Sequence, residues 1–98
     1  MKEAKIQTLH PDTDKTNKLI SLEKYDIIRS AILDILQHRP LNHTELMEAI
    51  YQRVNGHFSG NSHWYGETVK LDLEARRLIQ RSKTKPPLYS LVLQDDAG

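Results

Sequence analysis

The chain has 98 residues, 38% of them hydrophobic and 28% charged, with a net charge of +1. That length suits one domain with one modest core, and the balance excludes both wholesale disorder and a membrane-embedded chain. There is no cysteine, which excludes disulfides and thiolate metal sites and sets a cytoplasmic address as the expectation.

Residues 1–20 read as an N-terminal arm, loose or pinned on the surface. "HPDTDKTNK" is polar and turn-prone, and Pro11 bars a helix through His10. "KIQTL" has the composition for one short strand. The start, "MKEAKIQTLHPD", has no apolar h-region, so no secretion signal is expected. Apolar runs such as Ala31–Leu33 and Leu91–Leu93 are too short to span a bilayer, so no membrane partner is expected.

A folded domain is expected over residues 21–93. Ser21 suits an N-cap. After it, Tyr25, Ile28, Ile32, Ile35 and Leu36 recur on one stripe, with Asp26, Ser30 and Asp34 facing away. This predicts an amphipathic helix that ends near His38, because Pro40 disfavours a helical Arg39. Asn42 with Glu45 forms a capping-box pattern for a second helix. That helix turns Leu46, Ile50 and Val54 inward, sets Met47 and Tyr51 at its edge, and stops at Gly56.

The loop "HFSGNS" leads to a third helix from about Ser62 to Arg76 or Arg77. Its wheel carries two apolar stripes. One holds Trp64, Leu71, Ala75 and Leu78; the other holds Tyr65, Val69 and Leu73. Only the arc of Glu67, Lys70, Glu74 and Arg77 is polar, so this helix is expected to be wedged centrally in the core. Asp72 falls between the stripes and needs a partner, which Arg76 supplies one turn on. "LIQRS" and "LYSLVL" then read as strands around the tip "KTKPP", where Pro86 and Pro87 cannot join a ladder. Residues 94–98 are expected to be a disordered tail.

Three helices followed by a hairpin resemble the winged helix-turn-helix fold. The resemblance rests on "VKLDLEARRLIQR", in which Leu73, "EARR" and the pair Leu78–Ile79 stand where a winged helix closes its third helix and begins its wing. It implies an α+β class with a two- or three-stranded antiparallel wing, the third strand supplied near Leu41. That fold usually has a glycine where Arg77 stands. Arg77 therefore either takes a costly left-handed conformation or the helix exits differently. Through "KIQTLHPD", "KYD", "WY", "VKLDLEAR" and "TKP", the whole chain is also similar to a small family of uncharacterised bacterial proteins, which implies the same fold and no established activity.

The winged-helix resemblance implies a DNA-binding protein, with a role in transcription regulation, that turns the N-terminal half of the third helix to a major groove. The DNA-binding candidates are Ser62, His63, Lys70, Arg77, Arg81, Lys83 and Lys85. Asn61, Tyr65, Gly66 and Glu67 share the helix surface, and Gly66 would permit close backbone approach to base edges. Residues 76–85 hold five cations and no acid. Arg81, Lys83 and Lys85 alternate along one hairpin edge, suited to phosphates. The blander reading is that hairpin tips are often lysine-rich to stay soluble. Trp64 and Tyr65 are expected to pack in the core rather than stack on bases.

Other chemistry is sparse. His10, His38, His43, His57 and His63 form no helical i,i+4 pair, and no HExxH occurs. No metal or cofactor is expected. No nucleophile elbow, triad or phosphate loop is present, so no enzyme activity and no small-molecule substrate are expected. The competing function is a protein-interaction module, with a protein partner or a homodimer, because a fold does not fix a function. A positive face running from the wing to Lys70 favours duplex DNA; interruption by Glu67 and Glu74 favours a protein partner.

Overall fold

Local rules place most of the elements. In the computed structural model, which describes residues 3–93, Ser21 accepts a hydrogen bond from the Lys24 amide and opens helix α1, Leu22–Leu36. Asn42 and Glu45 form the reciprocal capping box of α2, His43–Val54. Gly56 follows α2 with φ at 89°, a conformation that glycine adopts without a steric penalty. Asn61 accepts from the amides of His63 and Trp64 and opens α3, Ser62–Ala75. The five strands are short: β1 Lys5–Gln7, β2 Leu19–Ser21, β3 Leu41–Asn42, β4 Ile79–Arg81 and β5 Leu88–Leu91.

The class is α+β, with three helices and two small antiparallel sheets. One sheet is the β1–β2 hairpin, with Ile6 opposite Ile20. The other has the order β3-β5-β4, with Leu41 opposite Tyr89 and Arg81 also opposite Tyr89. Each helix packs against the other two. The core is built from the stripes of α1 (Tyr25, Ile28, Ile32) and α2 (Leu46, Ile50), with Val69 and Leu73 of α3 and Ile79 and Tyr89 of the sheet.

Two side chains depart from the helical wheels. Met47, expected at an edge, is buried, because Gly66 leaves room for it: a Cβ on Gly66 would stand 2.9 Å from the Met47 Sδ. Gly66 therefore serves the contact between α2 and α3 and does not face outward. Trp64, expected inside, is 44% exposed. Tyr65 takes the inner place against Phe58, with ring centroids 5.2 Å apart, and Trp64 lies edge-on outside it at 4.8 Å.

The N-terminal segment is tied down at several points. Ile20 is in the core, so the boundary expected at residue 20 falls inside β2. The loop between β1 and β2 is held by the Asn17 amide, which donates to the carbonyls of Leu9 at 2.8 Å and Thr68 at 3.0 Å. The anticipated tail, residues 94–98, lies outside the described residues.

Asp72 joins these parts. It has no exposed surface. One carboxylate oxygen accepts from the Leu9 amide at 2.8 Å. The other accepts from the Tyr25 hydroxyl at 2.5 Å and from Arg76 Nε at 2.8 Å. The expected i,i+4 partner is thus present, together with two donors from distant segments. Burial, and next the hydrogen bond to Asp72, push the Tyr25 phenol up to about 12.

Two outcomes follow from this network. Asp72→Ala strands the buried Tyr25 hydroxyl and the Leu9 amide, and should cost about 3 kcal/mol in urea unfolding, since each unsatisfied group costs roughly 1–3 kcal/mol. The Leu9 amide should lose its protection from hydrogen exchange in the same variant. A loss below about 0.5 kcal/mol, the size of an ordinary surface change, would show that the network is not structural. The second outcome concerns pH. The Tyr25 phenol is raised from 10.0 to about 12, so its contribution to stability is complete below pH 10 and is lost as pH rises from 10 through about 12. Wild type should therefore lose more stability over that window than Tyr25→Phe, read as the difference between their urea midpoints.

Candidate nucleic-acid interface

The seven candidate residues do not form one surface. Ser62 is buried as the first residue of α3. His63 is exposed, its ring centroid 6.1 Å from that of Tyr51. Lys70, expected on the polar arc, is 3% exposed. It lies on the inner side of α3, where the sheet packs, so it cannot reach a base edge.

Lys70 is instead the centre of a polar cluster. Its Nζ donates to the Tyr89 hydroxyl at 3.1 Å and stands 4.3 Å from the centre of that ring. It also lies 3.0 Å from His43 Nδ1 and 3.5 Å from Glu67 Oε2. An ammonium group only donates, so Nδ1 of His43 accepts and the proton of the neutral ring sits on Nε2. Burial, and next the charge of Lys70, lower the His43 pKa below its ordinary value. Glu67 balances the charge of Lys70 and keeps an exposed flank beside His43. Tyr89 and His43 come from β5 and from the start of α2, too far along the chain for a helical wheel of α3 to find them.

The basic run divides in the same way. Arg76 is held by Asp72, whose hydrogen bond raises the guanidinium pKa further. Arg81 lies 3.3 Å from Glu74 and faces the Tyr89 ring at 5.4 Å. Lys83 and Lys85 are exposed at the tip and make no ion pair among the described residues. The tip is ordered by Ser82, whose backbone amide donates to the Leu88 carbonyl at 2.8 Å and whose hydroxyl accepts from the Leu88 amide at 2.8 Å. Thr84 adds a bond to the Pro86 carbonyl at 2.9 Å.

Arg77 follows α3 with φ at 63°. The Leu78 amide reaches back to the Leu73 carbonyl at 2.9 Å, and the Arg77 amide to the Glu74 carbonyl at 3.0 Å. These bonds define a Schellman motif, and Arg77 occupies the position where glycine is preferred. Of the two exits the sequence left open, the helix uses the left-handed one.

Residues 5–89 match a family model described as Family of unknown function (DUF6958). The chain belongs to this family. The match begins at the first residue of β1 and runs through Tyr89, so the N-terminal hairpin, the Asp72 network and the Lys70 cluster all lie within the family's domain. No curated protein and no solved structure matches the chain.

The arrangement offers unpaired cations at the β4–β5 tip among the described residues, and an exposed indole and imidazole near the start of α3. Among the described residues no group of three or more His, Cys, Asp or Glu could hold a metal ion. No helix there is long and apolar enough to cross a membrane.

The Schellman position gives a check on the backbone. A left-handed residue with a Cβ costs roughly 1–2 kcal/mol, and glycine returns part of that gain through unfolded-state entropy. Arg77→Gly should therefore be more stable by roughly 0.5 kcal/mol, and Arg77→Val less stable by at least about 1 kcal/mol because β-branching resists this conformation. Thermal unfolding of the two variants gives the order, and a valine as stable as glycine would contradict a left-handed Arg77.

Proposed function

We propose that the chain is a winged-helix protein that binds duplex DNA, with the β4–β5 wing on the phosphate backbone and the start of α3 toward the major groove. A role in transcription regulation follows from that reading. The arrangement of β3 beside β5, and of a β4–β5 hairpin directly after α3, supports the fold. The observation that carries the binding is the ordered tip, on which Lys83 and Lys85 are exposed and unpaired among the described residues. Burial of Lys70 leaves the wing with a larger share of the contacts than the helix, and pairing of Arg81 with Glu74 concentrates that share at Lys83 and Lys85. Binding led by phosphate contacts is strongly salt-dependent and weakly selective for sequence.

A second reading has its own observation. Trp64, Tyr51 and His63 expose aromatic surface at the start of α3, with Glu67 one turn on. Exposed Trp and Tyr are the residue types that dominate protein interfaces, and an acid there repels phosphate. That surface supports a protein-interaction module.

Fluorescence anisotropy of a labelled duplex at two salt concentrations separates the two. Duplex binding should weaken with a log–log salt slope of roughly −2 to −3, for two to three phosphate contacts. Lys83→Glu combined with Lys85→Glu should abolish it, and Trp64→Ala should reduce it modestly. Binding that is absent at tens of micromolar protein, or insensitive to salt, would sink the DNA reading. Self-association in light scattering that Trp64→Ala removes would then establish the interaction module.

A further inference from the structure

A concavity borders the C-terminal end of α3 and does not include the β4–β5 tip. The loop between β1 and β2 and the C-terminal end of α3 together line an open cup of about 840 Å³, within the usual range of small-ligand sites. We infer that this cup binds a small phosphate monoester. The inference does not rest on the DNA reading. The cup stands about 20 Å, at 1.5 Å per residue of the 14-residue α3, from the start of that helix, and its lining includes neither Lys83 nor Lys85.

The cup is built before any ligand arrives. Leu9 is tied to Asp72, Asn17 to Leu9 and Thr68, and Thr8 to Lys18 through both its amide and its hydroxyl. Those bonds use up the polar groups that shape the wall. A site already ordered in this way spends little of its binding free energy on ordering the loop.

The donors that remain are suited to a dianion. Lys15 and Arg77 line the cup and enter no ion pair among the described residues. Thr13 and Thr16 line the cup from the loop. The His10 Nδ1 accepts the Asp12 amide at 2.9 Å, so the neutral ring carries its proton on Nε2 as a further donor. The one acid in the lining, Glu74, is engaged by Arg81. A phosphate monoester carries about two charges at neutral pH and three terminal oxygens. Two full cations and several neutral donors match that count; a single carboxylate would leave half of them unused. Leu9, Pro11 and Ala75 give the remainder of the ligand an apolar wall.

Arg77 supplies an independent argument. It holds a left-handed conformation that glycine would adopt without strain. Retained strain of this kind points to a use for the side chain. The guanidinium offers a planar fork of donors fitted to two phosphate oxygens, and glycine would remove it.

The test follows backbone amides by heteronuclear NMR as ribose 5-phosphate is added, with ribose as the uncharged control. Saturable shifts should appear at Lys15, Thr16 and Arg77 with an affinity better than about 5 mM, and none should appear with ribose. Arg77→Gly should fold and should bind at least about tenfold more weakly, the loss of roughly one charge-assisted pair. Lys83→Ala removes the same charge from the wing and should leave binding within about twofold. The inference is overturned by an absence of saturation up to about 20 mM, by equal weakening in Lys83→Ala, or by shifts confined to the wing. A short duplex that shifts the cup amides and displaces ribose 5-phosphate would also overturn it, and would assign the cup to the DNA backbone.

Discussion

Asp72 buries its carboxylate where the N-terminal segment, α1 and the end of α3 meet. An ionised group with no exposed surface is tolerated only when charge and hydrogen bonds replace the lost water. Asp72 obtains three donors, one each from the N-terminal segment, α1 and its own helix. None of the three alone would suffice. The requirement therefore couples segments that have little apolar surface to share. The β1–β2 loop is polar and would dock weakly by burial alone; a charge-assisted bond to Leu9 fixes it on α3. The cup exists because that loop is held there.

This dependence also separates what the sequence shows from what it hides. Caps and i,i+4 pairs are local, so Ser21, the Asn42–Glu45 box and the Asp72–Arg76 pair are legible from spacing alone. The strand at Leu41 is expected from the winged-helix resemblance and not from any local pattern. Leu9 and Tyr25 are not legible as partners of Asp72, because 63 and 47 residues separate them from it. No local pattern encodes such a contact. The arm looks free for the same reason: its polar composition reports its local preference and not the distant carboxylate that binds it.

The two stripes of α3 illustrate a different limit. A helical wheel identifies apolar and polar arcs but not which arc faces which neighbour. Lys70 looks like a surface cation on its arc, yet a tyrosine hydroxyl and a histidine nitrogen from remote elements receive its ammonium group inside the fold. Trp64 looks like core, yet Tyr65 and Phe58 already fill the inner place. The candidate site inherits both reversals. The helix loses an expected surface cation and gains an exposed indole.

The same pairing logic sorts the basic run from Arg76 to Lys85. A dense run of like charge repels itself unless acids from elsewhere intervene. Asp72 and Glu74 take Arg76 and Arg81, and the second of these pairs ties β4 to α3. The cations left over are not adjacent in space by default, because the paired ones lie between them in the chain. Lys83 and Lys85 are carried out on the hairpin tip, while Arg77 is turned by its left-handed backbone toward the cup. One stretch of sequence thus provides structural cations and two separate sets of spare ones. The roles proposed for the β4–β5 tip and for the cup do not compete for the same residues, and each can fail without the other.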